Sequence, residues 1–271
     1  MKKFASLLLA SAMLLTALSL PAAAKDNRLN AAYGSAKVDG VMDAAYEKSQ
    51  AYEVKYCKDA SYSTANIYYL WDESALYVFA DVTDDTLPTN AKTDVLADIW
   101  KTDCIEIGIN LTPEAGETGD PHKIADCGIC LAAPMYGSQI DVYSLLADNA
   151  AVKAGNVCVT KMTDKGWTVE LKLPVFGDNT GVVPTAGQEI GIYSLMHNDT
   201  NDDNVRDTIT RHNEDFTAAN YDVTKMDYIV LQEKPAAVTE NAPQTADSLA
   251  LALLGMAGAL TIGCTLSKKR R

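Results

Sequence analysis

Trp100 stands in a stretch of charged residues whose types and spacing suit the binding of a polar ring. Asp98, Lys101 and Asp103 flank it, and Glu106 follows six residues further on. An exposed aromatic ring near a carboxylate is the pair that a sugar site uses, because the ring face contacts C–H groups of a pyranose while the carboxylate accepts hydrogen bonds from hydroxyls. The alternative is a loop tryptophan that caps the edge of the fold.

The segment that carries Glu106 has the alternation of a half-buried β-strand. One face is apolar, and we expect it to line the core: Ile105, Ile107, Ile109 and Leu111. The other face holds Cys104, Glu106, Gly108 and Asn110. This parity predicts that Glu106 lies on the outer face of the strand, turned away from the core.

Strand signals of this kind dominate the chain. Two β-rich hairpins are predicted around turns at 72–74 and 164–166, and further strands at 189–199 and 226–232. Trp167 alternates in register with apolar residues and is predicted to be core, and Trp71 is predicted to pack beside its turn. Helical pattern is scarce, with a turn or two at 43–48. Many short strands joined by Asp-, Asn- and Gly-rich turns predict an all-β fold, an antiparallel, jelly-roll-like β-sandwich.

The two ends of the chain have the character of targeting segments. Residues 1–24 have the basic start, apolar run and small-residue site of a secretory signal peptide. The β-sandwich is expected at 30–232, followed by a linker at 233–247. Residues 248–266 form an uncharged run long enough to be a transmembrane helix, and 267–271 form a basic cytoplasmic tail.

The stretch APQTAD, residues 242–247, resembles the cell-wall sorting signal of Gram-positive surface proteins. That resemblance implies cleavage by a sortase after Thr245 and attachment to the wall, although Ala242 and Ala246 replace the usual Leu and Gly. Without cleavage the chain would remain a membrane protein with its body outside. We therefore expect a secreted protein anchored to the wall or membrane on the outside of a Gram-positive bacterium.

The charge of the predicted exported body, residues 25–246, excludes one class of partner. It holds 17 basic and 35 acidic residues, a formal charge of −18. This charge argues against nucleic acid as a partner, because nucleic acid is itself anionic.

The body also holds five cysteines, an odd number that cannot form a complete disulfide framework within one chain. Cys127 and Cys130 have the spacing of a redox or zinc half-site, but we interpret the cysteines as buried small side chains, with one or two bridges at most.

The acidic loop after the strand at 189–199 raises the question of a metal. Asp199, Asn201 and Asp203 place oxygen atoms at alternate positions, as the start of a calcium loop does, but the Gly and Glu of an EF-hand are absent. A simpler calcium-braced loop and solvated turn carboxylates both remain open. No haem is expected. The adjacent Met196 and His197 point to opposite faces of a strand and cannot ligate one iron together, although His122 or His212 could still partner Met196.

Five segments occur in the order and spacing of carbohydrate-binding module family 9, and together they cover about residues 31 to 231: AKVDGVMDAAYEKSQAY, YYLWDESALYVFADVTDD, WKTDCIEIGIN, KGWTVELKLP and IGIYSLMHNDTNDD. The family is a β-sandwich that clasps the end of a glucan or xylan chain between two aromatic rings, and it carries calcium. The resemblance implies that Trp100 is one ring and Glu106 a sugar contact. By the same resemblance the polar contacts are Asn198 and Arg206, the second ring is Tyr221, and Lys123 is the closest candidate for a further basic contact.

We conclude from the sequence that the chain is a non-catalytic surface module that binds glucan- or xylan-type polysaccharide, oligosaccharide or chain ends. An alternative is a structural or protein-interaction module of the same fold without sugar binding. Lesser alternatives are a haem-binding electron-transfer domain and a glycoside hydrolase, which would need a pair of carboxylates that no stretch marks out.

Overall fold

The computed structural model describes residues 28–57, 63–86, 96–114, 116–124, 126–134, 141–142, 149–201, 203, 205–213 and 222–236. Contacts divide the chain into two units, Met1–Lys234 and Pro235–Arg271. All the described strands lie in the first unit. The predicted signal peptide, transmembrane segment, basic tail and Thr245 lie outside the described residues. Within the part of the chain that is described, no helix has the length and apolar character needed to cross a membrane.

The described part of the chain is mostly β, with short helical turns. Its strands are β1 (Arg28–Tyr33), β2 (Tyr52–Val54), β3 (Ser63–Trp71), β4 (Leu76–Asp84), β5 (Cys104–Asn110), β6 (Cys127–Ala132), β7 (Asp141–Val142), β8 (Val157–Thr163), β9 (Gly166–Leu173), β10 (Glu189–Asn198), β11 (Thr208–Arg211) and β12 (Asp227–Leu231). Short 3-10 helices occupy Tyr46–Lys48, Leu96–Lys101, Pro121–Lys123, Gly177–Asn179 and Val223–Lys225, and one short α-helix, α1, spans Ala150–Gly155. The all-β class and both hairpins, β3–β4 and β8–β9, are confirmed.

The strands follow one continuous hydrogen-bonded path, in the order β7-β6-β5-β10-β12-β1-β3-β4-β9-β8, with β11 on β10 and β2 on β3. The prediction of a purely antiparallel fold is wrong at β1. Residues 28–31 pair in parallel with β12, and residues 32–33 pair in parallel with β3. The single strand β1 thus joins the two halves of the sheet. The jelly-roll connection pattern stays a prediction.

The two halves of the sheet face each other across one apolar core. The β5 isoleucines Ile105 and Ile107 share this core with Val78 and Val82 of β4 and with Trp167 of β9, and all are at most 1% exposed. Such burial of large apolar side chains is the main source of folding free energy. The core prediction for Trp167 is confirmed, as is the packing of Trp71, which is 4% exposed.

The outer face of β5 differs from the prediction of a half-buried strand, because every residue of β5 is buried on both faces. Two small apolar clusters cover this outer side. One, around Tyr193 and Leu195 of β10, includes Val223 and Met226 from the turn before β12. The other packs the turn Leu96–Lys101 against β5 and β6. Glu106 is therefore turned away from the core, as predicted, but it lies beneath loops and is not at an open surface.

The five described cysteines are all free thiols. Cys127 packs in the outer cluster around Tyr193, whereas Cys130 belongs to the core between the halves. Residues three apart on one strand point to opposite faces, so this pair is not placed to form a bridge. The interpretation of the cysteines as buried small side chains is confirmed for all but the half-buried Cys57.

Candidate functional site

Glu106 is held on the outer side of β5 by two residues of the neighbouring strand β10. In the antiparallel register Glu106 lies opposite Leu195, so its diagonal neighbours are Tyr193 and His197. The Tyr193 hydroxyl donates a hydrogen bond to Glu106 Oε1 at 2.8 Å, and His197 Nε2 lies 3.0 Å from Oε2. The side chain of Glu106 is only 6% exposed. These bonds stabilise a buried carboxylate that would otherwise be costly to desolvate.

Gly108 creates the space for the tyrosine of this pair. Gly108 lies opposite Tyr193 in the β5–β10 register. A Cβ atom built on Gly108 would lie 1.8 Å from Tyr193 Cε1 and 2.3 Å from Cδ1, so the tyrosine ring lies directly over the glycine. A close approach of this kind is a reason for glycine within a strand. Gly108 thus allows the Tyr193 hydroxyl to reach Glu106.

His197 links the buried Glu106 to Arg206. Arg206 Nη1 lies 3.0 Å from His197 Nδ1. A guanidinium only donates, so Nδ1 accepts, and the proton of the neutral ring lies on Nε2, from which it is donated to Glu106. The three side chains form a chain of hydrogen bonds from a cation, through a neutral imidazole that is 1% exposed, to a carboxylate.

Arg206 in turn contacts the face of Trp100. Its Cζ atom lies 4.9 Å from the centroid of the Trp100 ring, and Lys101 Nζ lies 5.3 Å from the same centroid. Both distances are typical of cation–π contacts. Trp100 is half-buried, a correction to the expected exposed ring, because it packs partly against the small cluster of Ile99, Cys104, Leu131 and Ala133. Trp100 and Glu106 are therefore connected through His197 and Arg206.

The loop after β10 is tied to the segment that enters β5. The Asp199 N–H donates to Asp103 Oδ1 at 2.9 Å, and both residues are about 2% exposed. This bond fixes the β10 end of the loop that carries Arg206 beside Trp100.

The charged groups of the site also act on the thiol of Cys104. Burial raises the pKa of this thiol, the carboxylates of Glu106 and Asp103 raise it further, and the guanidinium of Arg206 opposes them.

Two other residues predicted for the sugar site lie elsewhere. Asn198 points toward the inner side of the sheet, where it bonds Ser63, Thr208 and Thr210, and it is 1% exposed. Lys123 is exposed and pairs with Asp120 at 3.4 Å. It precedes β6 at the Asn110 end of β5, about 20 Å from the Cys104 end at 3.4 Å per residue. Tyr221, the expected second ring, lies outside the described residues.

The oxygens predicted to bind calcium are used in local turns. Asp199 Oδ1 and Asn201 Oδ1 both accept the Asp203 N–H at 3.1 Å, and Asp203 Oδ1 accepts the Val205 N–H at 2.8 Å. Among the described side chains, no three His, Cys, Asp or Glu residues are grouped to hold a metal ion. These three oxygens do not fit a ready calcium site as they stand, because an ion would have to replace these bonds.

Met196 and His197 face opposite ways, as the strand parity predicts. Met196 is part of the core between the two halves of the sheet. His197 lies on the outer side and is bonded to Glu106 and Arg206. Adjacent residues with these contacts are not placed to ligate one iron together.

Sequence reasoning missed Tyr193, His197 and Gly108 as parts of the site. The strand parity of β10 does place Tyr193 and His197 on one face, and β5 parity places Glu106 and Gly108 on one face. The missing information was the register that brings residues 87 to 91 positions apart into contact. A pairing of Glu106 opposite Leu195 would have identified all three.

Comparison with known proteins gives the family and supports the fold. The family described as "Carbohydrate family 9 binding domain-like" matches residues 38–234. A carbohydrate-binding module family 9 from Caldicellulosiruptor kristjanssonii, solved in complex with cellotriose, superposes with a TM-score of 0.62 at 17% identity, covering 80% of this chain and 100% of that chain. A module of the same family and organism in complex with glucose has a TM-score of 0.60 at 17% identity, with coverage of 78% and 99%.

No curated protein sequence matches this chain significantly. The two solved modules share its fold at low identity, and the family match spans most of its length. The chain belongs to the carbohydrate family 9 binding domain-like family.

Proposed function

We propose that this protein binds a saccharide on the half-buried ring of Trp100, with the polar group made by Arg206, His197 and Glu106 beside it. The observation that carries the proposal is the continuous connection from Trp100 through Arg206 and His197 to Glu106. An aromatic platform next to fixed hydrogen-bonding groups is the chemistry that recognises a pyranose. Tyr221 is our candidate for the second ring.

The role of Glu106 in this proposal differs from that of an open acceptor. Both of its oxygens already accept hydrogen bonds, from Tyr193 and from His197. Its charge fixes the tautomer of His197, which orients Arg206 toward the ring. Glu106 therefore positions His197 and, through it, Arg206, and Arg206 is the polar group that contacts the ligand. Each carboxylate oxygen has a second lone pair, so a sugar hydroxyl that reaches it can still donate to it.

A glucan- or xylan-type chain is the ligand class that we propose. Support comes from the family match and from the solved relatives, whose complexes hold cellotriose and glucose.

We propose that the protein binds the saccharide without hydrolysing it. Glycosidic cleavage uses two carboxylates that flank the bond, whereas Glu106 is buried beneath its partners and the neighbouring Asp103 is 2% exposed and bonded to the Asp199 N–H. We further propose that the protein is secreted and held at the outside of a Gram-positive cell, with sortase acting at Thr245.

One observation favours the alternative, a structural or protein-interaction module. The Trp100 ring already contacts Arg206 and the apolar cluster around Ile99, so packing accounts for part of its placement. A glycan array with the purified protein separates the two functions. Binding to cello- or xylo-oligosaccharides that is lost in Trp100→Ala supports the proposal. An array without any bound saccharide, with the protein folded, supports the alternative.

A further inference from the structure

Two cations meet at the proposed sugar platform of a strongly acidic protein. The Arg206 guanidinium and the Lys101 ammonium lie 4.9 Å and 5.3 Å from the centroid of the Trp100 ring. The predicted exported body has 35 acidic and only 17 basic residues. Two of those basic side chains therefore lie on one aromatic ring, where a neutral sugar needs no positive charge.

Among the residues that the structure describes, no carboxylate contacts Arg206 directly. Its hydrogen bond goes to His197 Nδ1, and no salt bridge joins Arg206 to an acidic side chain within the described ranges. The nearest negative charge in this chain of bonds is Glu106, which lies on the far side of the imidazole and is only 6% exposed. One of the five guanidinium N–H groups suffices for the bond to His197, which leaves donors for a ligand.

The geometry points to a saccharide that carries a carboxylate, that is, a uronic-acid-bearing oligosaccharide, as the preferred ligand of this site. This inference rests on the proposed function and names its substrate class. A planar guanidinium matches a carboxylate with two parallel N–H donors, a stronger and more directional contact than a hydroxyl makes. His197 holds the guanidinium in place before binding, so little side-chain entropy is lost when the ligand arrives. The sugar ring would then lie on Trp100 with its carboxylate toward Arg206.

The overall negative charge of the protein opposes a preference for acidic ligands. A body of charge −18 repels anionic oligosaccharides at long range, so nonspecific attraction does not produce acidic selectivity. Local attraction by Arg206 must exceed that repulsion. Salt screens both effects, but the partly buried contact with Arg206 is screened less than the distant surface charges.

The test compares a xylo-oligosaccharide that bears one glucuronic acid with the unsubstituted xylo-oligosaccharide of the same length, by titration calorimetry. We expect the acidic ligand to bind about tenfold more tightly, the value of one charge-assisted hydrogen bond at about 1.4 kcal/mol per factor of ten. In Arg206→Gln the ratio of the two affinities should fall toward one. Arg28→Gln is the matched control, because Arg28 also stacks on an aromatic ring, Tyr228, at 5.7 Å, yet pairs with Glu189 away from the site.

The outcomes separate this inference from the function on which it rests. Equal affinity for the two ligands, both abolished by Trp100→Ala, would overturn the acidic preference and leave saccharide binding intact. No binding of either ligand by the folded protein would overturn the proposed function itself. A preference for the acidic ligand that survives in Arg206→Gln, or is lost equally in Arg28→Gln, would show that Arg206 does not recognise the carboxylate. Either result would also overturn the inference.

Discussion

Substitution of Gly108 by alanine should destabilise the protein through its effect on Tyr193. The new Cβ would lie 1.8 Å from the tyrosine ring, far inside contact distance, and Tyr193 is fully buried. Overpacking of this kind costs about 1–3 kcal/mol. Displacement of the ring also breaks the hydrogen bond from Tyr193 to Glu106, worth about 1.5–3 kcal/mol because the acceptor is charged. The combined loss is about 4 kcal/mol, equivalent to roughly 10 °C in melting temperature for a domain of this size.

The assay is thermal and urea unfolding of Gly108→Ala beside three reference variants. Gly191→Ala is the matched control, because its Cβ would lie 3.1 Å from Asn110 Cβ and 3.2 Å from Met226 Sδ, contacts that small shifts relieve. Tyr193→Phe isolates the hydrogen bond. In a Tyr193→Ala background the collision is absent, so Gly108→Ala should then cost less than about 1 kcal/mol. A Gly108→Ala variant that is destabilised no more than Gly191→Ala, or equally in both backgrounds, would show that collision with Tyr193 is not the cause.

Three further predictions concern acid stability, calcium and processing. Burial lowers the pKa of His212 to about 4, so as the pH falls from 6.5 to 4 the unfolded chain gains a proton that the folded protein does not. The free energy of unfolding should therefore decrease by about 3 kcal/mol over this range as the pH is lowered. Substitution of His212→Gln should flatten this part of the stability profile measured by urea unfolding, and parallel profiles for the variant and the wild type would contradict the prediction. The oxygens of Asp199, Asn201 and Asp203 already accept turn hydrogen bonds, so chelation should leave the melting temperature unchanged, and a fall that added calcium reverses would show that an ion displaces those bonds. Wall fractions should contain chains that end at Thr245, and recovery of the intact tail in detergent extracts alone would exclude wall attachment.

The strands of this protein were predictable because their side-chain pattern is local. Alternation in β5 identified its isoleucine face, and the turns at 72–74 and 164–166 identified two hairpins, since both signals lie within about twenty residues of sequence. The parallel pairing of β1 with β12 and β3 has no local signal. It joins residues 28–31 to a strand at the other end of the domain, so only the folded topology reveals it.

The candidate site was predictable only in part for the same reason. Trp100, Glu106 and Arg206 were identified from residue types and from the family resemblance, and the structure places them in one connected group. The burial of Glu106 was not predictable, because the loops that cover it come from distant segments. The role of His197 was not predictable either, since its contact with Glu106 depends on the β5–β10 register.

Calorimetric titration of Trp100→Ala with the matched neutral and acidic xylo-oligosaccharides tests the central claim, that Trp100 is a saccharide platform. Truncation of a central aromatic anchor costs about 2–4 kcal/mol, a loss of roughly 30- to 1,000-fold in affinity. Tyr228→Ala removes a second arginine-stacked ring that lies opposite Gly191, away from the site, and should leave affinity unchanged. The account predicts a folded Trp100→Ala variant without measurable binding to either ligand. A folded variant that binds as tightly as the wild type would show that Trp100 is a packing residue and contradict the account.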